Sequence, residues 1–357
     1  MKPTIIFKKV FYKKLWNAIN IAYYHSFNKE YVNAYPLYIF MDPGNVCNLK
    51  CPLCPTGQGD RGMKRGFLKY SLFKRVMGEI GDYSLFLFLY NWGEPFLNKD
   101  LFRFIKLSRK KLVIPITSSN LTTLDRNSCK QLVRSGLWYL IVSLDGLTQE
   151  TYQKYRIGGD LNKVLKNVRL INYYKTRYGI KRPKIICQFI VNKYNEHEVD
   201  TIKKQYIRLG FDKLLLSRVR SDLGKGVFED NTTKLKKYRD WFPSNKEYKL
   251  YLKNPKNCKY LNVSSAINFD GGVFPCCLIY GDNHTFGNIS NQSFFSVWNG
   301  PNYLTARRMI FKRKDITSDL VCSNCLKNKT FEEFNGFHFF LNMILPNKIY
   351  DLIRKPF

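Results

Sequence analysis

The 357-residue chain lacks the features that mark membrane-spanning and secreted proteins. It contains no run of 18 or more apolar residues, so no membrane-spanning helix is expected. Its first residues include lysines but no long apolar stretch followed by small residues, which excludes a secretory signal. We therefore expect a cytoplasmic protein. Cysteines in such proteins bind metals more often than they form disulfides, so we expect metal ligands among the ten cysteines of this chain.

Acidic residues are scarce: the chain has 27 Asp and Glu but 59 Lys and Arg, which gives a net charge of +32. Nucleic acid, an anionic membrane surface or a phosphorylated substrate would each match this charge. The basic residues are scattered, however, and no element carries a stripe of interleaved basic and aromatic residues, so nucleic acid is not the expected partner. Hydrophobic residues make up 45% of the chain, which is enough for a sizeable core.

The first 35 residues carry six lysines and one acidic residue. Apolar residues recur there at three- and four-residue spacing, at Phe7, Val10, Phe11, Leu15, Ile19 and Ala22. This pattern predicts a basic amphipathic helix. We expect its apolar face to pack on the chain's own domain, and contact with an anionic membrane surface, peripheral to the membrane, is the alternative.

Residues 36–220 alternate between short apolar segments and helical patterns. The predicted strands are 37–41, 85–89, 113–117, 139–144, 185–191 and 213–217, and the predicted helices are 71–80, 101–110, 126–135, 161–178 and 197–209. The strands are apolar on both faces, as parallel strands covered by helices are. This predicts an α/β fold, a partial (β/α)6 TIM-like barrel, with functional residues at the carboxyl ends of the strands. Cys129 and Cys187 fall in apolar contexts and are expected to be buried.

The pattern changes after residue 220. Glycine and proline interrupt residues 221–257, which we interpret as a linker with a short helix. Residues 258–330 form a small cysteine-bearing module. Residues 331–357 are aromatic and apolar, and we expect this tail to dock on the barrel or on a partner.

Three cysteines, Cys47, Cys51 and Cys54, stand at positions i, i+4 and i+7 in the loop after the first predicted strand, and no fourth follows nearby. A closed structural metal site needs four protein ligands, and a four-iron cluster is usually held by four thiolates. Three thiolates leave one iron open to another ligand, and such a position is where chemistry can occur. A zinc knuckle with a remote fourth ligand is the alternative.

This cysteine spacing resembles the CxxxCxxC signature of the radical SAM superfamily. The resemblance implies a [4Fe–4S] cluster held by the three cysteines, with the open iron chelated by the amino and carboxylate groups of S-adenosylmethionine. It also implies that an electron from a flavodoxin- or ferredoxin-type donor cleaves the sulfonium to methionine and a 5′-deoxyadenosyl radical. That radical would abstract a hydrogen atom from the substrate.

Loops after the second to fifth predicted strands carry residues that match the family's ligand-binding motifs. The resemblance implies contacts to S-adenosylmethionine from nine of them: Gly93, Glu94, Pro95, Ser119, Ser143, Asp145, Arg156, Gln188 and Val191. The motif after the second strand reads Asn-Trp-Gly-Glu-Pro and resembles the family's Gly-Gly-Glu-Pro, whose strand edge binds the methionine ammonium. Trp92 replaces the first glycine of that motif.

The remaining motifs lie in the next three loops. Ser119 belongs to a Thr-Ser-Ser-Asn segment whose hydroxyls and amide would bind polar ligand atoms or cap the following helix. By the resemblance, Ser143 faces the ribose hydroxyls and Arg156 faces the ligand's carboxylate. Asp145 belongs to the same motif, or it caps the next helix. On the fifth strand, Gln188, Ile190 and Val191 are expected to flank the adenine.

A second set of cysteines lies in the last third of the chain: Cys258, Cys276, Cys322 and Cys325. Their spacing resembles the auxiliary-cluster region of radical SAM proteins with a SPASM domain or its shortened Twitch form. The resemblance implies one auxiliary [4Fe–4S] cluster, with Cys277 spare or exchanging roles with its neighbour. A four-cysteine zinc site is the competitor, although seventeen residues separate the first two cysteines, unlike the short knuckles of zinc ribbons.

The expected function is hydrogen abstraction that oxidises or rearranges a sugar, cyclitol or similar small molecule, anionic or nucleotide-linked in view of the charge. This rests on the resemblance of the single auxiliary site to that of an aminocyclitol dehydrogenase. Radical modification of a peptide or protein is the second hypothesis. A basic nucleic-acid-binding protein with structural metal is the hypothesis from another class, and it predicts salt-sensitive binding and no cleavage of S-adenosylmethionine.

Overall fold

The computed structural model describes residues 3–60, 62–219, 240–245, 258, 260–314 and 319–327. Most of the predicted linker 221–257 and the whole of the predicted tail 331–357 lie outside the described residues.

Strands and helices alternate through the first two thirds of the chain, as the periodicity predicts. In chain order they are α1 (Pro3–Ser26), β1 (Tyr38–Met41), α2 (Tyr70–Ile80), β2 (Phe86–Phe88), α3 (Leu101–Lys110), β3 (Ile114–Ser119), α4 (Arg126–Arg134), β4 (Tyr139–Ser143), α5 (Gln149–Tyr155), α6 (Leu161–Arg177), β5 (Lys184–Val191), α7 (Val199–Gln205) and β6 (Lys213–Arg218). Each strand from β1 to β6 pairs in parallel with the next. The predicted partial barrel is therefore confirmed.

The cysteine-bearing module continues the barrel's sheet. It contributes β7 (Ser264–Ile267), β8 (Gly272–Phe274), β9 (Gly287–Asn288), α8 (Phe294–Trp298), α9 (Pro301–Lys312) and α10 (Cys322–Lys327). The sheet has nine strands in the order β6-β5-β4-β3-β2-β1-β7-β8-β9. Because β7 pairs in parallel with β1, with Tyr38 opposite Ser264, the module shares one hydrophobic core with the barrel.

Burial explains why these segments form strands. All five residues of β4 are buried, and so are all three of β2, as expected for parallel strands with a helical layer on one face and the barrel interior on the other. Cys129 and Cys187 are fully buried, as predicted, and act as small apolar residues of the core.

The orientation of α1 is the reverse of the prediction. Lys14 and Asn17 are buried, with only 6% and 4% of their surfaces exposed, whereas the apolar Phe11, Leu15 and Ile19 are each about half exposed. The expectation that the apolar face packs on the domain is therefore wrong. The reason is that backbone carbonyls near the end of α2 need donors and α1 supplies them. No helix in the described part of the chain is long and apolar enough to cross a membrane.

A buried arginine ties the N-terminal segment to the cysteine-bearing module. The Arg307 guanidinium donates to the backbone carbonyls of Leu261 at 3.1 Å and Glu30 at 2.9 Å. It also lies over the ring of Trp298, 4.2 Å from the ring centroid. Burial lowers the pKa of Arg307 to about 9. Removing this side chain would leave two buried carbonyls without donors.

We expect Arg307→Met to lower the free energy of unfolding by roughly 2–4 kcal/mol, because methionine keeps the apolar stem but leaves buried acceptors unsatisfied. Urea unfolding followed by circular dichroism measures the change. Arg308→Met is the matched control: the Arg308 side chain is 40% exposed and pairs with Glu30 at 3.1 Å, so its loss should cost less than about 1 kcal/mol. Equal losses in the two variants would contradict this account.

Candidate active site

A cavity opens at the carboxyl ends of β1–β5 and gathers most of the motifs found in the sequence. Its lining comes from five loops and strand ends: Cys47, Leu49, Cys51, Cys54, Pro55, Gly57, Tyr90, Asn91, Trp92, Gly93, Glu94, Ser118, Ser119, Asn120, Ser143, Tyr155, Arg156 and Ile190. This is the position at which (β/α) barrels assemble functional residues, because every parallel strand ends on the same side.

The loop after β1 brings the three thiols of Cys47, Cys51 and Cys54 into this cavity. Hydrogen bonds from distant segments hold the loop in place. Asn120 of the loop after β3 donates its side-chain amide to Asn48 Oδ1 at 2.9 Å, and the backbone N–H of residue 50 donates to the carbonyl of residue 157 at 2.9 Å. The thiols are thus fixed by two other loops of the barrel.

The donor set of this loop suits a multi-iron cluster. Three thiolates can hold a four-iron cluster with one iron open to another ligand, whereas a closed structural zinc site needs a fourth protein ligand. A zinc ion would need its thiolates about 2.3 Å from a single point, whereas a four-iron cluster gives each thiolate its own iron. Burial raises the pKa of Cys47 to about 12 and also raises that of Cys51. A bound metal therefore has to stabilise the thiolates.

The turn after β2 packs directly on the cysteine loop. A Cβ atom placed on Gly93 would overlap the carbonyl oxygen of Gly44, so only glycine permits this approach. The backbone N–H of Glu94 donates to the Val46 carbonyl at 2.9 Å. Trp92, at the position of the motif's first glycine, packs its buried ring edge-on against Tyr280 at 5.1 Å. Its backbone N–H donates to the buried carboxylate of Asp42 at 3.1 Å. Asp42 was not among the predicted site residues, although a lone Asp at the end of an apolar strand is a usable signal.

Glu94 locks the loop after β2 to the loop after β3. Its carboxylate accepts hydrogen bonds from the Ser119 hydroxyl at 2.7 Å and from the Asn120 backbone N–H at 2.8 Å. A third bond comes from the Phe96 backbone N–H at 3.2 Å. Burial raises the pKa of Glu94 to about 7. The hydroxyl of Ser119 therefore serves the Glu94 carboxylate, and the N-cap of α4 is Asp125, which bonds Ser128 N at 2.7 Å.

Asp145 orients Arg156. The two side chains form a buried ion pair, with Arg156 Nε 2.5 Å from Asp145 Oδ2, and the other Asp145 oxygen accepts from the Ile190 backbone N–H at 2.6 Å. Arg156 Nη1 reaches to 3.6 Å from the Cys51 sulfur. Asp145 does not cap α5, because Thr148 caps that helix itself. Asp145 thus lies behind the wall of the cavity and aims the guanidinium into it.

The cavity brings together five of the nine residues predicted to contact S-adenosylmethionine: Gly93, Glu94, Ser119, Ser143 and Arg156. Pro95, Asp145, Gln188 and Val191 are not part of its lining. On β5 the lining residue is Ile190, so Val191 necessarily points to the opposite face of the strand. Gln188 lies on the same face as Ile190 but bonds to Ser217 Oγ at 3.2 Å. Of the three β5 residues predicted to flank the adenine, Ile190 is the one that lines the cavity.

The second cysteine set is connected to this cavity through Asn91, which belongs to the lining. The pKa of the Cys276 thiol is raised mainly by burial and further by the charges of Cys277, Cys258 and Cys325, which interact with it electrostatically. In the amide orientation that satisfies both of its partners, Asn91 donates to the Cys277 carbonyl at 3.0 Å and accepts from the Trp92 indole N–H at 2.9 Å. The cavity thus extends from the three thiols to Asn91, and Asn91 in turn contacts the second cysteine set.

Two family models match the chain. The Radical SAM superfamily model matches residues 41–205, and the SPASM model, an iron-sulfur cluster-binding domain, matches residues 258–326.

Single relatives agree with these family matches. A cysteine-type anaerobic sulfatase-maturating enzyme from Clostridium novyi is 26% identical over 78% of this chain and 82% of its own length. Among solved structures, Streptococcus suis SuiB bound to S-adenosylmethionine has a TM-score of 0.62 at 15% identity, over 89% of this chain and 80% of SuiB. BtrN in complex with AdoMet and 2-DOIA has a TM-score of 0.50 at 18% identity, and the match covers 81% of this chain and 92% of the BtrN chain. The two structures share the fold with this chain.

The adjacent cysteines 276 and 277 provide a matched test of the second cysteine set. We expect the anaerobically reconstituted protein to hold about eight irons per chain, as two four-iron clusters. Cys276→Ser should reduce this to about four, because its thiol stands among the other cysteines, and Cys277→Ser should leave it near eight. Iron and sulfide analysis with absorption spectra measures this. If only Cys277→Ser lost the four irons, Cys277 would be the ligand and not Cys276. Bound zinc in place of the second cluster would contradict the prediction.

Proposed function

Because the chain belongs to the radical SAM superfamily and carries a SPASM-type iron–sulfur cluster-binding domain, we propose that it oxidises or rearranges a sugar, cyclitol or similar polar small molecule. It is a radical SAM enzyme whose cofactors are the SAM-binding [4Fe–4S] cluster, an auxiliary [4Fe–4S] cluster and S-adenosylmethionine. We assign the first cluster to Cys47, Cys51 and Cys54. We assign the auxiliary cluster to Cys258, Cys276, Cys322 and Cys325.

The observation that carries the proposal is the extent of the cavity. One space reaches from the three thiols to Asn91, whose side chain contacts the backbone of Cys277. A substrate placed there would lie between the two clusters. With the first cluster held by Cys47, Cys51 and Cys54, and with an electron from a flavodoxin- or ferredoxin-type donor, bound S-adenosylmethionine would supply radical hydrogen abstraction from the substrate.

The chain's own residues bind and orient the ligands. Arg156, aimed by Asp145, presents its remaining N–H groups beside Cys51, where a ligand carboxylate would stand. Ser143 and Ser118 add hydroxyls to the lining, and these suit a ligand rich in hydroxyl groups. Leu49, together with the other apolar lining residues, excludes water from the reacting atoms.

Modification of a peptide or protein is the second candidate. Its support is the 26% identity to a cysteine-type anaerobic sulfatase-maturating enzyme over most of both chains. Bound S-adenosylmethionine would occupy Ser143 and Arg156, so the polar lining is common to both substrate classes, and the deuterium-transfer experiment below separates them.

The radical chemistry is tested with the reconstituted protein, dithionite and S-adenosylmethionine under anaerobic conditions. We expect 5′-deoxyadenosine to accumulate, measured by liquid chromatography and mass spectrometry. Alanine at any one of Cys47, Cys51 and Cys54 should abolish this, because the cluster then loses a thiolate. Cys129→Ala is the control, since this buried cysteine lies in the core away from the cavity, and it should retain the activity.

The same assay discriminates the two substrate classes. Uniformly deuterated aminocyclitols and sugars, or deuterated peptides that contain Cys and Ser, are supplied in parallel, and deuterium in 5′-deoxyadenosine is measured. Transfer from a cyclitol or sugar supports our proposal. Transfer from peptides alone would replace it by the maturase function, and absence of 5′-deoxyadenosine from a fully loaded protein would overturn both.

Glu94→Gln tests the loop lock. The amide cannot accept from all three donors that now face the carboxylate, so a buried N–H loses its partner. One such loss of about 1.4 kcal/mol corresponds to roughly tenfold weaker binding of S-adenosylmethionine. Equilibrium dialysis on the iron-loaded protein measures the affinity. Glu150→Gln, at an exposed carboxylate on α5, is the control and should bind normally. Equal affinity of the two variants for S-adenosylmethionine would show that the hydrogen bonds of the Glu94 carboxylate do not shape the ligand site.

A further inference from the structure

One face of α1 carries a concentration of exposed apolar side chains. Thirteen large apolar side chains are exposed among the described residues, and six of them form this face: Phe11, Tyr12, Leu15, Trp16, Ile19 and Tyr23. At 3.6 residues per turn they cover about 140° of the helix circumference. We call these six residues the aromatic face. A contiguous exposed apolar patch of this kind marks an interaction site.

The aromatic face is held outward by hydrogen bonds on the opposite side of the helix. The Lys14 ammonium donates to the Gly81 carbonyl at 2.8 Å and to the carbonyl of Ser84. Asn17 donates to the Tyr35 carbonyl at 2.7 Å and accepts from the Tyr35 N–H at 2.8 Å. Rotating the helix to bury its apolar face would break these bonds and leave buried carbonyls without donors. The exposure is therefore a stable property of the fold.

The charge around this face selects the kind of partner. Residues 3–29 contain no Asp or Glu, and Lys8 and Lys9 are exposed toward the start of the helix. The first acidic residue, Glu30, is already paired with Arg308 and Lys312. Two copies of this face would both be cationic and would offer each other no carboxylate from residues 3–29, so a contact with a second copy would gain no ion pair there. An anionic lipid surface complements them.

The residue types point to the same partner. Trp and Tyr have an apolar ring with a polar edge and are enriched at the level of lipid headgroups. Leu15 and Ile19 stand between them on the helix and would reach the acyl boundary. We propose that the aromatic face of α1 docks this enzyme on anionic phospholipid bilayers, with the helix lying in the plane of the headgroups. This inference is independent of the substrate proposed above.

The test uses the full-length, iron-loaded protein and sedimentation with lipid vesicles. We expect binding to phosphatidylcholine–phosphatidylglycerol vesicles at least about tenfold stronger than to phosphatidylcholine alone, and weakened by high salt. Leu15→Gln with Ile19→Gln should reduce binding to the anionic vesicles by at least about tenfold. Ile207→Gln is the matched control and should bind like the wild type. Ile207 is 69% exposed and lies between α7 and the edge strand β6, whereas α1 bonds to the segment before β2. All variants should release 5′-deoxyadenosine normally.

Tryptophan fluorescence gives a second readout at the face itself. Trp16 is 67% exposed, whereas Trp92 and Trp298 are buried. Anionic vesicles should shift the emission to shorter wavelength, and Trp16→Phe should remove the shift. Three results would each overturn the proposal: no binding to anionic vesicles, a dimer in light scattering that the Leu15/Ile19 variant dissociates, or a Trp16 shielded from acrylamide before vesicles are added.

Discussion

The site depends on one buried carboxylate. Glu94 accepts hydrogen bonds from Ser119 and Asn120, which belong to the next loop, while its own backbone N–H reaches the cysteine loop at Val46. Three loops from three strands are thereby held together at one point. A charged group in this position is expensive unless donors surround it, and burial raises its pKa to about 7. The donors that satisfy the carboxylate are therefore also the contacts that shape the ligand cavity.

The continuous sheet explains how a second cysteine set comes close to this point. Pairing of β7 with β1 sets the cysteine-bearing module beside the strand that precedes the three-cysteine loop. Asn91 and Trp92 then bridge the two regions, since one contacts Cys277 and the other stacks edge-on against Tyr280 at 5.1 Å. An independently folded appendage on a linker would lack this fixed separation. Backbone pairing thus determines how the two cysteine sets face each other.

The parts of the fold that could be predicted from sequence are those encoded locally. The six barrel strands have strong apolar runs, and the cysteine triad has a distinctive spacing, so both were found at their positions. The strand β7 has the weak sequence Ser-Ser-Ala-Ile and gave no such signal. The role of Asp145 as the partner of Arg156 was not predicted. The sequence shows an Asp near the start of a helix, but it does not show the ion pair that forms across the loop.

The orientation of α1 escaped for a more general reason. Hydrophobic periodicity assumes that the apolar side of a helix faces the core, yet Lys14 finds its partners 67 and 70 residues away, at Gly81 and Ser84. Those carbonyls lie in a buried turn where unpaired acceptors are costly. Burial lowers the pKa of Lys14 to about 8, with nearby Asp82 opposing the shift, so the lysine is held there by its contacts despite the cost of desolvation. The same bonds that satisfy the turn leave an apolar, cationic face directed away from the barrel. Exposure of this apolar area to water is unfavourable, and a lipid surface would cover it.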